Sequence, residues 1–527
     1  MATEGYWAEA PLDRQRVPLF ARTLDATIAE DDCVRLFDEV LGAVDWSPWE
    51  AEFGARGRGQ PPIHPRHLAA AILYGLYRGI RSSRKLEEAC VYRLDFIWLL
   101  EGRRLDHSTL AKFRTRFREP LKDLFRQLGR IALTVGLVRL GEVAFDGTRV
   151  KASNSRFQTR TAKTLEAKLQ ALDALYEHLL AESELQDIEQ VGSGSPTRLP
   201  EELAALEQRR EKLLDALDQV HAADEARRQQ GVNPEKNPAQ IPTTDPDARV
   251  MPNKEGGYAP NYTPVATTDG HRGFIVDCEV TAEVNEGPQA VASVDRIEET
   301  FGQKPERVLT DTGNNSGQIQ AAMEGRGIEF YAPVECGVPQ SGNPAYREDP
   351  TQAVTPEQQS ELPRNDRGQL DKSCFVYDAA HDQYYCPQGH AMPFEKTKSD
   401  ERGGERVTKR IYRCQHCVGC PLAQACLSQK NQHGRTVTRD EYEEVRARTA
   451  SRMATEAGRK LYNQRPHIAE TTFGLLKRVM GLRQFLLRGL EKVKTEWRWA
   501  CTGFNLAKLV REIARLRAEL TQLATEG

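Results

Sequence analysis

The sequence predicts an α/β protein in which an all-helical segment precedes the strands. Across residues 65–138, apolar side chains recur at helical spacing almost without interruption. The stretches 141–153, 262–286 and 304–317 instead contain short β-branched and apolar runs that end in Asp-Gly or Gly-Asn turns. Helices followed by strands, which are themselves followed by further helices, indicate an N-terminal helical domain and an α/β core.

The charge of the chain is segregated along the sequence. The 527 residues, enough for two to four domains, carry a net charge of −3. Lys and Arg nevertheless exceed Asp and Glu by 10 over residues 51–140 and by 9 over residues 427–527. Two basic stretches that flank an acidic middle predict two surfaces facing a polyanion.

The sequence has no feature of a membrane protein or a secreted protein. It contains no run of 18 apolar residues, and its first residues, MATEGYWAEAPLDRQR, lack the apolar region of a signal peptide. We therefore expect a soluble, cytoplasmic protein without a membrane partner.

The N-terminal helices carry a basic last member. Ser82 and Asp106 are suitable residues to begin helices. The basic side chains of the last helix fall within seven residues: Lys112, Arg114, Arg116 and Arg118. This pattern predicts a DNA-binding helix of the helix-turn-helix kind, with Arg114 and Arg116 on the DNA. A plain helical bundle, whose basic side chains touch only phosphates, is the alternative.

The remaining chain divides by composition. Two leucine series separated by VGSGSPTRLP predict an antiparallel helical hairpin at about 160–228. The predicted domains are a helical domain (1–138), the first part of the core with the inserted hairpin (139–335), a linker and Cys-rich insertion (336–435), and C-terminal helices that complete the core (436–527).

The cysteines cluster in the predicted insertion. Six of the eleven lie between Cys374 and Cys426, and in a cytoplasmic chain such a cluster indicates metal ligands before disulfides. Four thiols suit tetrahedral Zn²⁺ with a structural role: Cys386, Cys417, Cys420 and Cys426. Cys414 forms a second C-x-x-C pair with Cys417 and could substitute for one of them. Reduced cysteines without a metal are the alternative.

Three acidic residues stand out by their positions. Asp146 ends a strand in VAFDGT, Asp311 ends a strand in VLTDTG, and Glu470 lies on a basic helix predicted over 462–485. Carboxylates at strand ends, joined by one from a helix, can converge on Mg²⁺, which prefers oxygen ligands. Two such ions can activate a nucleophile and stabilise the leaving oxygen of a phosphoryl transfer.

The predicted helix at 462–485 has two different faces. Glu470 and Lys477, two turns apart, share one face with Gly474 and Gly481. We expect the two glycines to leave room there for DNA or for a metal-bound phosphate. The opposite face carries the predicted core stripe: Ile468, Leu475, Val479 and Leu482.

Taken together, these segments resemble a known family. VAFDGTRVKAS, TTDPDARVM, VLTDTG and YNQRPHIAETTFGLLKR resemble the DDE transposases of bacterial insertion sequences, and more narrowly the IS-eleven-eighty-two group within the broader IS-five/IS-four relatives. The resemblance implies an RNase H-like core behind the helical domain. It also implies that Asp146, Asp311 and Glu470 bind catalytic Mg²⁺ or Mn²⁺.

The most specific part of the resemblance is a signature of four residues. Tyr462, Arg465, Glu470 and Lys477 match it, although four residues rather than three separate Arg465 from Glu470. The resemblance implies that Arg465 and Lys477, with Tyr462 and Arg478 beside them, contact DNA near the scissile phosphate. The implied partner is double-stranded DNA, both terminal repeats and target, bound by a homodimer or larger assembly associated with the nucleoid.

The expected function is metal-dependent cleavage at the ends of an insertion sequence, followed by 3′-OH strand transfer into target DNA. No Gly-rich phosphate loop is present, so no nucleotide is expected. Two alternatives stay open. A DNA-binding relative without catalysis is one, because DTGNNS lacks the Lys and Tyr found after the second Asp in relatives. A nuclease of the same fold, which hydrolyses without joining, is the other.

Overall fold

The computed structural model describes two compact units. The described residues are 23–53, 62–154, 159–189, 199–229, 231–253, 256–333, 342–402, 405–427 and 433–526. One unit comprises residues 1–124 together with 502–527, and the other comprises residues 125–501.

Among the residues that the structure describes, helices and strands alternate in the second unit. The helices are α1 (Cys33–Gly42), α2 (Ser47–Glu50), α3 (Pro65–Tyr77), α4 (Ser83–Tyr92), α5 (Leu94–Leu99), α6 (His107–Arg116), α7 (Arg118–Thr134), α8 (Ala162–Glu189), α9 (Leu199–Gln229), α10 (Gly287–Phe301), α11 (Gly317–Gly325), α12 (Ala423–Cys426), α13 (Glu443–Ala454), α14 (Glu456–Tyr462), α15 (Arg465–Arg478) and α16 (Leu490–Glu526). The strands are β1 (Glu142–Gly147), β2 (Val150–Lys151), β3 (Thr159–Arg160), β4 (Ile241–Pro242), β5 (Arg249–Pro252), β6 (Tyr258–Asp269), β7 (Ile275–Thr281), β8 (Arg307–Leu309), β9 (Glu329–Tyr331), β10 (Val376–Asp378), β11 (Gln383–Tyr385), β12 (Ala391–Arg402), β13 (Glu405–Arg413) and β14 (Thr436–Asp440).

The first unit is helical, as the sequence predicts, but its helices are shorter than the pattern suggested. The segment after Asp106 divides into α6 and α7 at Phe117, whose backbone leaves the helical region (φ −100°, ψ 71°). Phe117 is buried against Trp49 and Phe113, with ring centroids 5.7 and 4.9 Å away. Pro120 has no N–H to donate to the Arg116 carbonyl and clashes with it, so one continuous helix cannot form here although the periodicity favours it. The Asp106 carboxylate begins α6 by accepting hydrogen bonds from two backbone N–H groups.

A mixed sheet forms the centre of the second unit. Its strands follow the order β2-β6-β1-β8-β9, and β5 and β7 also pair with β6. β1 runs antiparallel to β6 but parallel to β8, which in turn runs parallel to β9. The central residues of β1 are buried, which explains its apolar VAF run. The carboxyl ends of the parallel strands β1 and β8 lie at the same edge of the sheet.

Helices connect to this sheet and pack against it. An Asp-Gly turn at Asp269-Gly270 follows β6 and leads to β7, as the sequence predicts. The amphipathic segment after this hairpin forms α10. α15, which carries Glu470, packs against β1 and β6.

The helix around Glu470 departs from the predicted pattern. It ends at Arg478, and Gly481 lies beyond it with a φ of +69°, so the prediction that Gly481 shares a helical face with Glu470 is wrong. Leu475 and Val479, predicted in the core, are exposed, and α15 buries Phe473 and Leu476 instead. The chain after Arg478 turns back along strand β2, where the Phe485 N–H donates to the Lys151 carbonyl at 2.8 Å. The helix therefore ends early, and the face that it buries differs from the predicted one.

A second, antiparallel sheet of five strands has the order β10-β11-β12-β13-β14. Its first four strands lie within the predicted Cys-rich insertion, whereas β14 lies just beyond its predicted end at 435. The core of this sheet includes Phe375, Tyr384 and Tyr412 along with five of the cysteines of this region, and Cys420 packs against it. Residues 342–373, predicted as a linker, contain only turns, an isolated β-bridge and short 3-10 helices.

Two long helices, α8 and α9, occupy the region of the predicted hairpin. They contact each other through the Arg210 Nε–Asp173 Oδ1 ion pair at 2.7 Å and the hydrogen bond from the Tyr176 hydroxyl to Glu207 at 3.0 Å. Near the core, Leu165 and Val220 are buried in one apolar cluster. The turn between the helices lies outside the described residues. Among the described residues, we find no helix with the length and hydropathy needed to cross a membrane.

Candidate functional site

The pairing of two parallel strands brings Asp146 and Asp311 together. The register places Ala144 of β1 opposite Leu309 of β8, and each aspartate lies two residues further along its strand direction. Asp146 is buried, and its Oδ1 accepts a hydrogen bond from the Gly147 N–H at 2.9 Å. The Asn314 side-chain amide donates to Asp311 Oδ1 at 3.0 Å. Both carboxylates are thus held at one edge of the sheet.

Glu286, which the sequence analysis did not single out, is the third acid of this cluster. One carboxylate oxygen from each of Asp146, Glu286 and Asp311 lies within 4.8 Å of the others. Glu286 precedes α10, and its side chain, 15% exposed, extends to the Asp146-Gly147 strand end. A Cβ atom at Gly147 would lie 2.0 Å from Glu286 Oε2, so a larger residue here would displace the Glu286 carboxylate. The available sequence signal was an acid at the start of a helix that follows a β-hairpin.

The cluster concentrates negative charge in a half-buried place. Burial raises the pKa of Glu286, and the neighbouring Asp146 charge raises it further. A hydrogen bond from Asn314, 3.4 Å from Oε1, and the Arg149 guanidinium, 3.8 Å from Oε2, act in the opposite direction. Carboxylates crowded in this way favour a cation between them.

Arg465 lies among all three acids predicted from the sequence. It is 9% exposed, and its Nη2 atom is 3.3 Å from Asp146 Oδ2 and 3.9 Å from Asp311 Oδ2. Its Nη1 atom is 4.0 Å from Glu470 Oε1. The Nε atom is buried and has no hydrogen-bond partner among the described residues. The guanidinium therefore offsets the acidic charge through ion pairs that are longer than good hydrogen bonds.

Glu470 is placed differently from the two aspartates. Its side chain is 64% exposed, and it is not a member of the cluster within 4.8 Å. Lys477, on the same helix, donates to Thr148 Oγ1 at 2.5 Å and to the Arg149 carbonyl at 3.2 Å, directly after Asp146 in sequence. α15 thus brings Glu470 towards the aspartates, but Arg465 lies between them.

The other predicted DNA-contacting residues differ in exposure. Tyr462 is half-buried near the acids, and burial raises the pKa of its hydroxyl. Arg478 is exposed at the end of α15. In the helical unit, Arg114 is half-buried and donates to the Arg81 carbonyl, while the exposed Arg116 lies over the Phe117 ring at 5.1 Å. Of these four residues, Tyr462 lies near Asp146 and Asp311.

The donor set of the acidic cluster fits a hard divalent cation. Its groups are all carboxylate oxygens, the type of ligand that Mg²⁺ and Mn²⁺ prefer. The cluster lies at the carboxyl ends of β1 and β8, where open coordination positions can face a substrate. These residues can therefore hold a divalent ion.

Five cysteines of the second sheet line one small cavity, and they include the four that the sequence predicts as zinc ligands. The cavity is lined by Cys386, Cys414, Cys417, Cys420 and Cys426, together with His416 and Arg435. Four of the thiols are buried and Cys420 is half-buried. Tetrahedral Zn²⁺ needs four of these five sulfurs.

Backbone amides are directed at several of these sulfurs. A hydrogen bond from the Cys414 thiol lowers the pKa of Cys386, and the N–H groups of Gln388 and His390 act in the same direction. The Arg435 N–H donates to Cys417 Sγ at 3.4 Å. Such donors stabilise thiolates, the form that binds a metal.

Comparison with protein families gives two matches. Residues 385–510 match the family described as Transposase DDE domain, and residues 22–116 match the family described as Transposase domain (DUF772). No curated protein and no solved structure matches the chain. The two matches indicate a transposase family, and the mixed α/β structure is consistent with a DDE transposase.

The matched ranges divide the candidate site. The DDE-domain match contains Arg465, Glu470 and Lys477, along with the five cysteines of the cavity. Asp146, Glu286 and Asp311 lie outside both matched ranges. The acidic cluster therefore comes from the structure, independently of the family comparison.

Proposed function

We propose that this protein is the transposase of an insertion sequence, which cleaves DNA at the element's ends and transfers the 3′-OH into target DNA. The observation that carries the proposal is the side-by-side placement of Asp146 and Asp311 at the ends of two parallel strands, beside the helix that bears Glu470. This arrangement supports an RNase H-like core. The two transposase-family matches support the same function.

In this proposal Asp146, Asp311 and Glu470 hold Mg²⁺ or Mn²⁺. Divalent ions bound there supply activation of the attacking hydroxyl and stabilisation of the leaving oxygen. Lys477, Arg478 and Tyr462 contact the DNA around the reacting phosphate. Arg114 and Arg116 contact DNA from the helical unit.

Arg465 has two roles in succession. In the DNA-free protein it offsets the charge of the predicted acids, as its three ion pairs indicate. When DNA enters, its guanidinium can exchange carboxylates for phosphate oxygens, which it binds equally well. That exchange frees Glu470 to approach Asp146.

The test is cleavage and joining of the element's own ends in Mg²⁺ or Mn²⁺. We expect the native protein to cut and join, and Glu470→Gln to bind the ends but do neither. The matched control is Glu456→Gln, an exposed acid at the start of α14, which should retain activity. Equal activity of Glu470→Gln and the native protein would refute the role of Glu470.

The same assay separates the two alternatives. A nuclease of this fold would produce cleaved ends without joined product. A relative without catalysis would bind the ends with sequence specificity and leave them intact in either metal. We further propose that the active form is a homodimer or larger assembly on paired ends, which sedimentation of the DNA complex would show.

The cysteine cavity has a separate, structural role in this proposal. We infer that it binds one Zn²⁺ through Cys386, Cys417, Cys420 and Cys426. The backbone donors to Cys386 and Cys417, and the burial of the thiols in one core, support it. No group around the cavity suits a catalytic zinc, since an open coordination position with an adjacent base is not found among the residues that line it.

A further inference from the structure

We propose that Glu286 is a fourth metal-binding carboxylate of this centre, and that a first divalent cation binds between Asp146, Asp311 and Glu286 before DNA arrives. The inference deepens the proposed function and rests on it for the role of the ion. It assigns to the DNA-free protein a cation site that does not use Glu470.

The Glu286 side chain does not cap the helix that it precedes. Glu286 occupies the N-cap position of α10, where Asn, Asp, Ser and Thr are the usual capping residues. Its side chain makes no capping bond, and Asn285 Oδ1 accepts from the Gly287 N–H at 3.1 Å. Helix capping therefore does not explain why the Glu286 carboxylate lies in the acidic cluster.

The groups around Glu286 hold its carboxylate within the acidic cluster. Asn314 donates from one amide nitrogen to both Asp311 and Glu286, which orients the two carboxylates relative to each other. Gly147 leaves the space that the Glu286 carboxylate occupies beside Asp146. These contacts hold Glu286 close to two other acids despite the repulsion between them.

Further support comes from buried polar atoms that lack partners. Asn314 is 1% exposed and Arg465 is 9% exposed, and both are directed at the cluster. Asn314 Oδ1 and Arg465 Nε have no hydrogen-bond partner among the described residues. A buried acceptor without a donor is costly, so Asn314 Oδ1 indicates a ligand that brings a donor to the site. A cation with its accompanying water would supply donors for Asn314 Oδ1 and offset the acids.

Glu286 and Glu470 differ in whether they can bind an ion in the observed arrangement. Glu286 is largely buried and already within 4.8 Å of both aspartates, whereas Glu470 is largely exposed and lies behind Arg465. Glu286 can bind an ion without rearrangement. Glu470 can join only when Arg465 moves. We therefore expect the first ion to depend on Glu286 and not on Glu470.

Mn²⁺ binding to the full-length, DNA-free protein tests this inference without any activity measurement. Electron paramagnetic resonance of free Mn²⁺ would give the affinity for the native protein, Glu286→Gln, Glu470→Gln and the control Glu283→Gln, an exposed acid on the same loop. We expect Glu286→Gln to weaken the tightest site at least ten-fold, roughly the loss seen when support for a metal site is removed. Glu470→Gln and Glu283→Gln should stay within two-fold of the native affinity.

Three results would overturn the inference: equal affinity for Glu286→Gln and the native protein, an equal loss in Glu470→Gln, or no Mn²⁺ binding by the native protein. Thermal unfolding in EDTA shows whether Glu286→Gln folds, and Glu286→Asp, which keeps the charge, should recover part of the affinity. The proposed function fails separately. If Mn²⁺ binds through Glu286 but the native protein neither cuts nor joins DNA, the transposase proposal falls and the cation site remains.

Discussion

Arg465 shows how one residue can change the meaning of a sequence signature. Its position in the signature predicts a DNA contact, yet in the DNA-free protein its guanidinium lies near Asp146, Asp311 and Glu470. Removing it would take this cation away from the buried Asp146 carboxylate, and breaking a buried ion pair costs about 3 kcal/mol. Arg465 thus supplies positive charge beside the acids, and it is also a candidate ligand for a DNA phosphate.

We expect Arg465→Gln to lower the melting temperature in EDTA and to increase the rise in melting temperature that Mn²⁺ produces. The reason is that losing the nearby guanidinium charge increases the repulsion among the acids and destabilises the metal-free form, while the ion no longer competes with that guanidinium. Circular dichroism melts with and without Mn²⁺ would measure both effects. Arg478→Gln, which removes an exposed arginine of the same helix, is the control. An unchanged Mn²⁺ increment in Arg465→Gln would contradict this account.

Gly147→Ala gives a second prediction at this scale. The added methyl group would lie 2.0 Å from Glu286 Oε2 and displace the carboxylate, the mobile end of a side chain, from the cluster. The variant should fold and lose Mn²⁺ affinity to about the extent of Glu286→Gln. Gly325→Ala, whose Cβ would have no heavy atom within 4 Å, is the matched control. Native Mn²⁺ affinity in Gly147→Ala would show that the ion does not need Glu286 in its observed place.

At the scale of single elements, local patterns predicted the type of element better than its extent. β1 and α10 follow directly from an apolar run and an amphipathic period. The helix with Glu470 ends at Arg478 because the following residues pair with strand β2, a contact more than 300 residues away in sequence. That pairing is a tertiary effect. The break at Phe117 instead has a local cause in Pro120, which helical periodicity alone does not register.

The cavity lined by five cysteines beside the second sheet gives a prediction about zinc. Cys386→Ser should lose about one equivalent of zinc from the purified protein and lower the melting temperature, because the site would contribute folding free energy. Cys374→Ser is the matched control, since Cys374 lies in the same apolar core but outside the cavity lining. Plasma mass spectrometry would measure the metal. Retention of zinc in Cys414→Ser would identify the predicted four ligands, whereas its loss would make Cys414 one of them.

At the scale of the whole molecule, charge segregation predicts how DNA binding responds to salt. The two basic stretches would each neutralise several phosphates, and each neutralised phosphate releases counterions. We expect the affinity for double-stranded DNA to fall at least ten-fold between about 50 and 200 mM salt. Fluorescence anisotropy would measure it, and replacing Arg116 by Gln should reduce the slope if this exposed residue touches a phosphate. A flat response would contradict a backbone-directed interface.

The candidate site could be predicted only in part from the sequence, because its assembly is not local. Asp146 and Asp311 were recognisable at strand ends, but their common register depends on parallel pairing of β1 with β8. Glu286 was missed because nothing in VNEGPQA distinguishes a helix-capping acid from one that extends to another strand. The distance between Glu470 and the aspartates likewise depends on the buried position of Arg465.

The link between α15 and the first strands also matters while the chain is being made. Lys477 contacts Thr148, and the backbone of residues 483–485 contacts Lys151, so the strand end that carries Asp146 is closed by a segment delivered more than 300 residues later. A ribosome will have released the helical N-terminus, the long helices α8 and α9, and the cysteine sheet before this segment emerges. Interrupted synthesis would therefore yield chains that carry an N-terminal basic stretch but lack Arg465, Glu470 and Lys477. Under the proposed function, such chains could bind DNA but could not cleave it.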